Sequence, residues 1–155
     1  MNTIIKTTAL IQDNKKILLI KEWSKKKNGY FWNVIRGTFD PEKDASLTAA
    51  IIREAKEEIN LDIDVENILS IFEIKKLDSF LLQINFTGQP RLNSKPSLPK
   101  SFEQDEEIIE YKWFNFDEYK ALKKEELMDK RVSIIINDFF LNKLKYPLQI
   151  IKGVD

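Results

Sequence analysis

Ser46-Leu47-Thr48-Ala49-Ala50-Ile51-Ile52-Arg53-Glu54-Ala55-Lys56-Glu57-Glu58-Ile59-Asn60-Leu61 is the stretch on which the reading of this sequence turns. Ser46 is a side-chain N-cap ahead of an apolar-periodic run, and Asn60 is one of the few residues that tolerates the left-handed conformation closing a helix. The stretch therefore predicts a helix from the Ser46 cap to about Ile59. At 100° per residue, Thr48, Ile51, Ile52, Ala55 and Ile59 fall within about 100°, while Arg53, Glu54, Glu57 and Glu58 fill roughly 140° on the other side. One face is made to pack and the other is charged.

Glu54 and Glu58 stand at i,i+4 and Glu54 and Glu57 at i,i+3, so three carboxylates share a surface and repel by a few tenths of a kcal/mol per pair, roughly. Arg53, four residues before Glu57, is the local cation. Hard divalent cations take oxygen ligands, and the cluster suits Mg²⁺ or Mn²⁺. The blander alternative is a solvated Glu-rich face with one surface ion pair.

Outward from the helix, residues 38–45 form a loop, and Tyr30-Phe31-Trp32-Asn33-Val34-Ile35 is a β-prone run ending at Arg36-Gly37. Before it, residues 3–11 and 17–20 predict a hairpin around Asp13-Asn14-Lys15-Lys16. After the helix, residues 63–75 and 80–87 read as strands, and residues 88–100 as a long surface loop with three of the five prolines. Residues 108–114 return to strand character, and residues 117–122 and 124–144 read as helices. The expected fold class is α/β of the α+β kind, with a mixed sheet, and one domain over residues 1–155.

The 155 residues, 43% of them hydrophobic and 32% charged, supply both a core and a polar surface. Cysteine and histidine are absent, which removes disulfides, Cys/His zinc sites and His-dependent nucleophile systems. Any catalysis falls to carboxylates. Twenty-five basic and 25 acidic residues give no net charge for a general grip on a nucleic-acid duplex. No apolar run approaches the ~20 residues of a membrane span and the N-terminus lacks signal-peptide organisation, so the expected location is cytoplasmic.

Arg53-Glu54-Ala55-Lys56-Glu57-Glu58-Ile59-Asn60-Leu61, with Gly37 after Trp32-Asn33-Val34-Ile35-Arg36, resembles the signature of the Nudix hydrolases. Ile108-Ile109-Glu110-Tyr111-Lys112-Trp113-Phe114 is similar to a later strand of that family, and the resemblance spans residues 3–141. Three departures stand out. The interval from Gly37 to Arg53 is two residues longer than the family pattern, which leaves Ala45 where the first glutamate belongs, with Asp44 or Glu42 as possible substitutes. Asn60 replaces the final glycine, and Arg36 replaces the first of a glycine pair.

The resemblance implies an α/β/α sandwich that hydrolyses a nucleoside diphosphate linked to another group, such as a nucleoside triphosphate or a nucleotide sugar, with Mg²⁺ or Mn²⁺. It implies Glu54, Glu57 and Glu58 as metal ligands, joined by the Gly37 carbonyl. Glu54 is also a candidate water-activating group, and Arg53 orients Glu57. Arg36, Trp32 and Lys27 are candidate substrate contacts, with Lys25, Lys26, Phe72 and Phe80 as weaker ones. A further carboxylate is expected from the acidic run, at Glu106, Glu107 or Glu103. The isomerase branch of the family relies on a cysteine this chain lacks. The competing expectation is a catalytically weak Nudix-like nucleotide-binding or sensor domain, and either form is expected as a monomer or homodimer.

Overall fold

The computed structural model describes residues 1–99 and 108–154. The N-terminal hairpin forms as expected. β1 (Asn2–Asp13) turns through Asn14 and Lys15, both at positive φ, into β2 (Lys16–Ser24). The two strands pair only near the turn, at Gln12–Ile17 and Asp13–Lys16, and then diverge into separate sheets.

The β-prone run at residues 30–35 is two strands rather than one. β3 (Gly29–Asn33) pairs with β2, and β4 (Ile35–Thr38) pairs with β1. Asn33 causes the break: its side-chain oxygen accepts from the Val34 amide, and its amide donates to Glu22, so the chain leaves one sheet there and joins the other. β1 also runs parallel to β6 (Ser79–Pro90), which pairs antiparallel with β5 (Ile63–Lys75). β7 (Ile108–Phe114) lies on the other side of β2 from β3, and the two-residue β8 (Tyr146–Pro147) closes the edge beyond β5. Parallel and antiparallel pairs thus coexist in a mixed sheet.

Apolar residues on both faces of β1 and β2 place them in the middle layer. Ala9, Ile11, Leu18 and Ile20 face a core built on Ile51, Ala55 and Ile59 of α1 (Leu47–Ile59). Leu10, Ile17 and Leu19 face the opposite core, built on Val132, Ile135 and Ile136 of α3 (Lys130–Asn137) and on Tyr119 of α2 (Phe116–Lys120). Helices on both sides of strands complete the expected sandwich.

The single helix expected over residues 124–144 is broken. Leu127 is extended, pairs with Trp32 and is 4% exposed, and the Met128 amide donates to the Trp32 carbonyl, so burial of Leu127 outweighs helical propensity. Asp129 then caps α3, and a π-type turn follows at Asp138–Asn142.

α1 starts and stops where its sequence predicts. Ser46 Oγ accepts from the Ala49 amide, and Asn60 sits at φ 51°, with the Asn60 and Leu61 amides closing the last turn on Lys56 and Ala55. A non-Gly residue without a polar side chain is strained at such an angle. Asn60→Ala should therefore lower unfolding free energy by about 1 kcal/mol in urea titration, with Asn60→Gly close to wild type.

Candidate active site

β4 lies under the start of α1, and its alternation divides the site. Ile35 and Gly37 face α1; Arg36 and Thr38 face the other way, beside Lys6 and Thr8 of β1, with which they are in register. Gly37 is required by close approach rather than by its backbone angles: a Cβ there would overlap Cγ, Cδ and Oε1 of Glu54. The Glu54 side chain, 13% exposed, is seated directly on that strand.

Arg53 organises the carboxylates around it. Its Nε and Nη2 donate to the two oxygens of Asp44 at 2.7 and 2.9 Å, and its Nη1 donates to Glu54 at 2.9 Å and to Glu57 at 3.1 Å. The Asp44 side chain is 1% exposed and also accepts from the Asp40 amide. These hydrogen bonds, Arg53 first, hold the Asp44 carboxyl below its ordinary value against the opposing effect of burial; the Arg53 guanidinium is raised in turn. Of the two candidates for the shifted glutamate, Asp44 stands beside Arg53, whereas Glu42 is exposed.

The helix carboxylates do not share one environment. Glu57 is 59% exposed, but Glu58 belongs to the buried side of α1, with 6% exposure, rather than to the solvated face expected for it. The wheel contains the reason: Glu58 falls about 20° from Ile51, at the boundary of the packed arc. Among the described residues, no three acidic side chains stand close enough to form a ready metal-coordination group. Oxygen donors at Glu54, Glu57 and Glu58 still match a hard divalent cation in chemistry, and Glu54 is already seated against the β4 backbone.

A cleft of about 460 Å³ opens along this edge, lined by Gly37, Arg53 and Glu54 and by Lys6, Arg36, Asp40 and Lys43. The remaining sequence candidates lie elsewhere. Trp32, 5% exposed, packs edge-on against Phe114 in the core. Lys27 donates to the carbonyls of Leu127 and Met128 and lies over the Phe31 ring, away from the cleft. Lys25 and Lys26 are exposed in the turn before β3, Phe72 packs against the α3 core, and Phe80 is the second residue of β6. Glu103, Glu106 and Glu107 lie outside the described residues.

The sequence reading missed a polar stripe on the sheet face opposite α1. Lys6 and Thr8 of β1 align with Gln83 and Asn85 of β6. Thr8 and Gln83 donate to Asn85, Asn85 donates to Ser70, and Arg131 reaches Gln83 at 2.9 Å. Arg131 and Arg36 both donate to Asp129 Oδ2, at 2.6 and 3.1 Å. The signal was present in β6 as alternation: Gln83, Asn85 and Thr87 between Ile84 and Phe86, in a strand paired on both edges.

Burial works to raise the Asp129 carboxyl, but the hydrogen bonds and charges of Arg131 and Arg36 outweigh it and hold the group down at about 2. A folded-state value below the unfolded one stabilises the protein above the unfolded value, and the contribution is lost as pH falls through the folded one. Wild-type stability should thus drop by about 2 kcal/mol from this group as pH falls from about 5 to about 2. Asp129→Asn should flatten that limb in urea titrations across the same pH series.

The NUDIX domain family model matches residues 4–134, and the chain belongs to the Nudix hydrolase family. Solved structures share the fold. A NUDIX hydrolase from Nitrosomonas europaea superposes with a TM-score of 0.79 at 24% identity, over 99% of this chain and 98% of that one. A MutT protein from Methanosarcina mazei gives 0.66 at 23% identity over 92% and 97%, and an ADP-ribose pyrophosphatase from Streptococcus suis gives 0.60 at 19% over 88% and 92%. No curated protein matches the chain.

Proposed function

We propose that this Nudix hydrolase cleaves the diphosphate bond of a nucleoside diphosphate linked to another group, a nucleoside triphosphate or a nucleotide sugar, with Mg²⁺ or Mn²⁺. The observation that carries the reading is Glu54 seated on Gly37 in a cleft that Lys6, Arg36, Lys43 and Arg53 also line. Glu54, Glu57, Glu58 and the Gly37 carbonyl would hold the metal, which when bound offsets diphosphate charge and makes water a better nucleophile. The chain's own residues do the positioning. Arg53, fixed by Asp44, holds the Glu54 carboxylate that lines the cleft and ties Glu57 to it. Arg36, held by Asp129 and Asn33, contributes positive charge beside the cleft for the substrate's anionic part.

A second reading, a nucleotide-binding or sensor domain with weak turnover, draws support from Arg53, whose Nη1 engages the Glu54 and Glu57 carboxylates. A phosphate-release screen over nucleoside triphosphates, nucleotide sugars, ADP-ribose and dinucleotides, with and without Mg²⁺ or Mn²⁺, separates the two. Metal-dependent release that chelator abolishes is the expected result; tight nucleotide binding without release would favour the sensor. Among the described residues no helix is long and apolar enough to cross a membrane, and a small nucleotide substrate fits a cytoplasmic location.

A further inference from the structure

We propose that Lys6 and Arg36 form a seat for a third anionic group of the substrate, beyond the two phosphates joined by the scissile bond, and so favour nucleoside triphosphates over nucleotide sugars. The inference rests on the hydrolase reading above and narrows its substrate class.

Register puts the two cations together. Lys6 pairs with Thr38 and Thr8 with Arg36, so the Lys6 and Arg36 side chains leave the same sheet face two positions apart, and both line the cleft that reaches Gly37 and Glu54. The carboxylates nearby are already engaged. Asp129 accepts from both Arg36 and Arg131, and Glu22 accepts from Asn33 at 2.6 Å. Around Lys6 the charges of Arg36, Arg131 and Lys76 thus outnumber those of Asp129 and Glu22.

One donor marks where an anion is missing. Among the described residues, the half-buried Lys6 ammonium has no acceptor at hydrogen-bond or ion-pair distance, while Arg36, whose Nη1 and Nη2 donate to Asp129 and Asn33 and whose Nε is enclosed, adds positive charge behind it. Burial, then the charges of Arg36 and Arg131, hold the Lys6 ammonium below its ordinary value, and a bound anion reverses both charge effects. Lys43, the other lysine of the cleft, is 70% exposed and paired with Asp40 at 3.3 Å. A terminal phosphoryl group carries the acceptor oxygens that Lys6 lacks and the charge that Lys6 and Arg36 together attract. A neutral sugar offers only hydroxyls.

The test compares α,β-methylene ATP with α,β-methylene ADP, which share a base and an uncleavable α,β bridge and differ by the terminal phosphoryl group. Calorimetric titration with Mg²⁺ present should show the wild type preferring the triphosphate by roughly tenfold. Lys6→Met should bring the ratio close to one, Lys6→Arg should restore it, and Lys120→Met, on α2 and outside the cleft, should leave it unchanged. A wild-type ratio near one overturns the proposal without any variant, as does an undiminished ratio in Lys6→Met. Failure of the hydrolase reading has a different appearance: the ratio is intact, yet ATP itself releases no phosphate or pyrophosphate with metal.

Discussion

Glu58→Gln is expected to lower turnover by roughly a hundredfold or more and to weaken Mn²⁺ binding in calorimetry, while the melting temperature holds or rises. Glu58 lies on the packed side of α1, 6% exposed and one turn after Glu54. An amide of the same shape keeps the packing and ends the repulsion with Glu54 at i,i+4, so the fold is not weakened. The same exchange removes a charge that a divalent cation needs. Near-normal turnover together with unchanged metal affinity would remove Glu58 from the ligand set and leave its burial a matter of packing alone.

The second large effect is on stability. Arg53→Ala should cost about 3 kcal/mol or more, because it leaves the Asp44 carboxylate, 1% exposed, without its bidentate partner. Activity should fall with it, since Glu54 and Glu57 lose the guanidinium that holds them. The double variant Asp44→Ala/Arg53→Ala should recover a large part of the stability and none of the activity, as both the stranded charge and the need for its partner are gone. If Arg53→Ala alone unfolds at the wild-type urea midpoint, the Asp44 pair contributes nothing and the argument from its burial fails.

How much of this was legible depended on whether the signal was local. The ends of α1 were, because a Ser46 cap and an Asn60 stop act through the backbone next to them. The break at Asn33 was not: one β-prone run divides between two sheets because of a hydrogen bond to Glu22, which sequence spacing does not show. Likewise the helix expected after residue 124 yields to Leu127, whose partner, Trp32, lies about a hundred residues earlier. At the site, the Arg53–Glu57 pair was readable from i,i+4 spacing, and Asp44 stood among the candidates for the shifted glutamate. Lys6 was invisible, since its meaning comes from a register with β4 and β6 that only the folded sheet defines.

Among the described residues, β1 is the one strand that pairs in both sheets: with β2 at its end, and with β4 and β6 along its length. From Thr7 to Ala9 it has β4 on one edge and β6 on the other, so its amides lie inside the sheet rather than at an edge. From Thr7 to Ile11 they should be among the last to exchange deuterium, at rates set by global unfolding. The four residues of β4, held on one side only, belong to the opposite regime. A ligand seated across Gly37 and Arg36 would slow exchange there first, and protection of β4 without change in β1 would report binding at this edge separately from the stability of the whole fold.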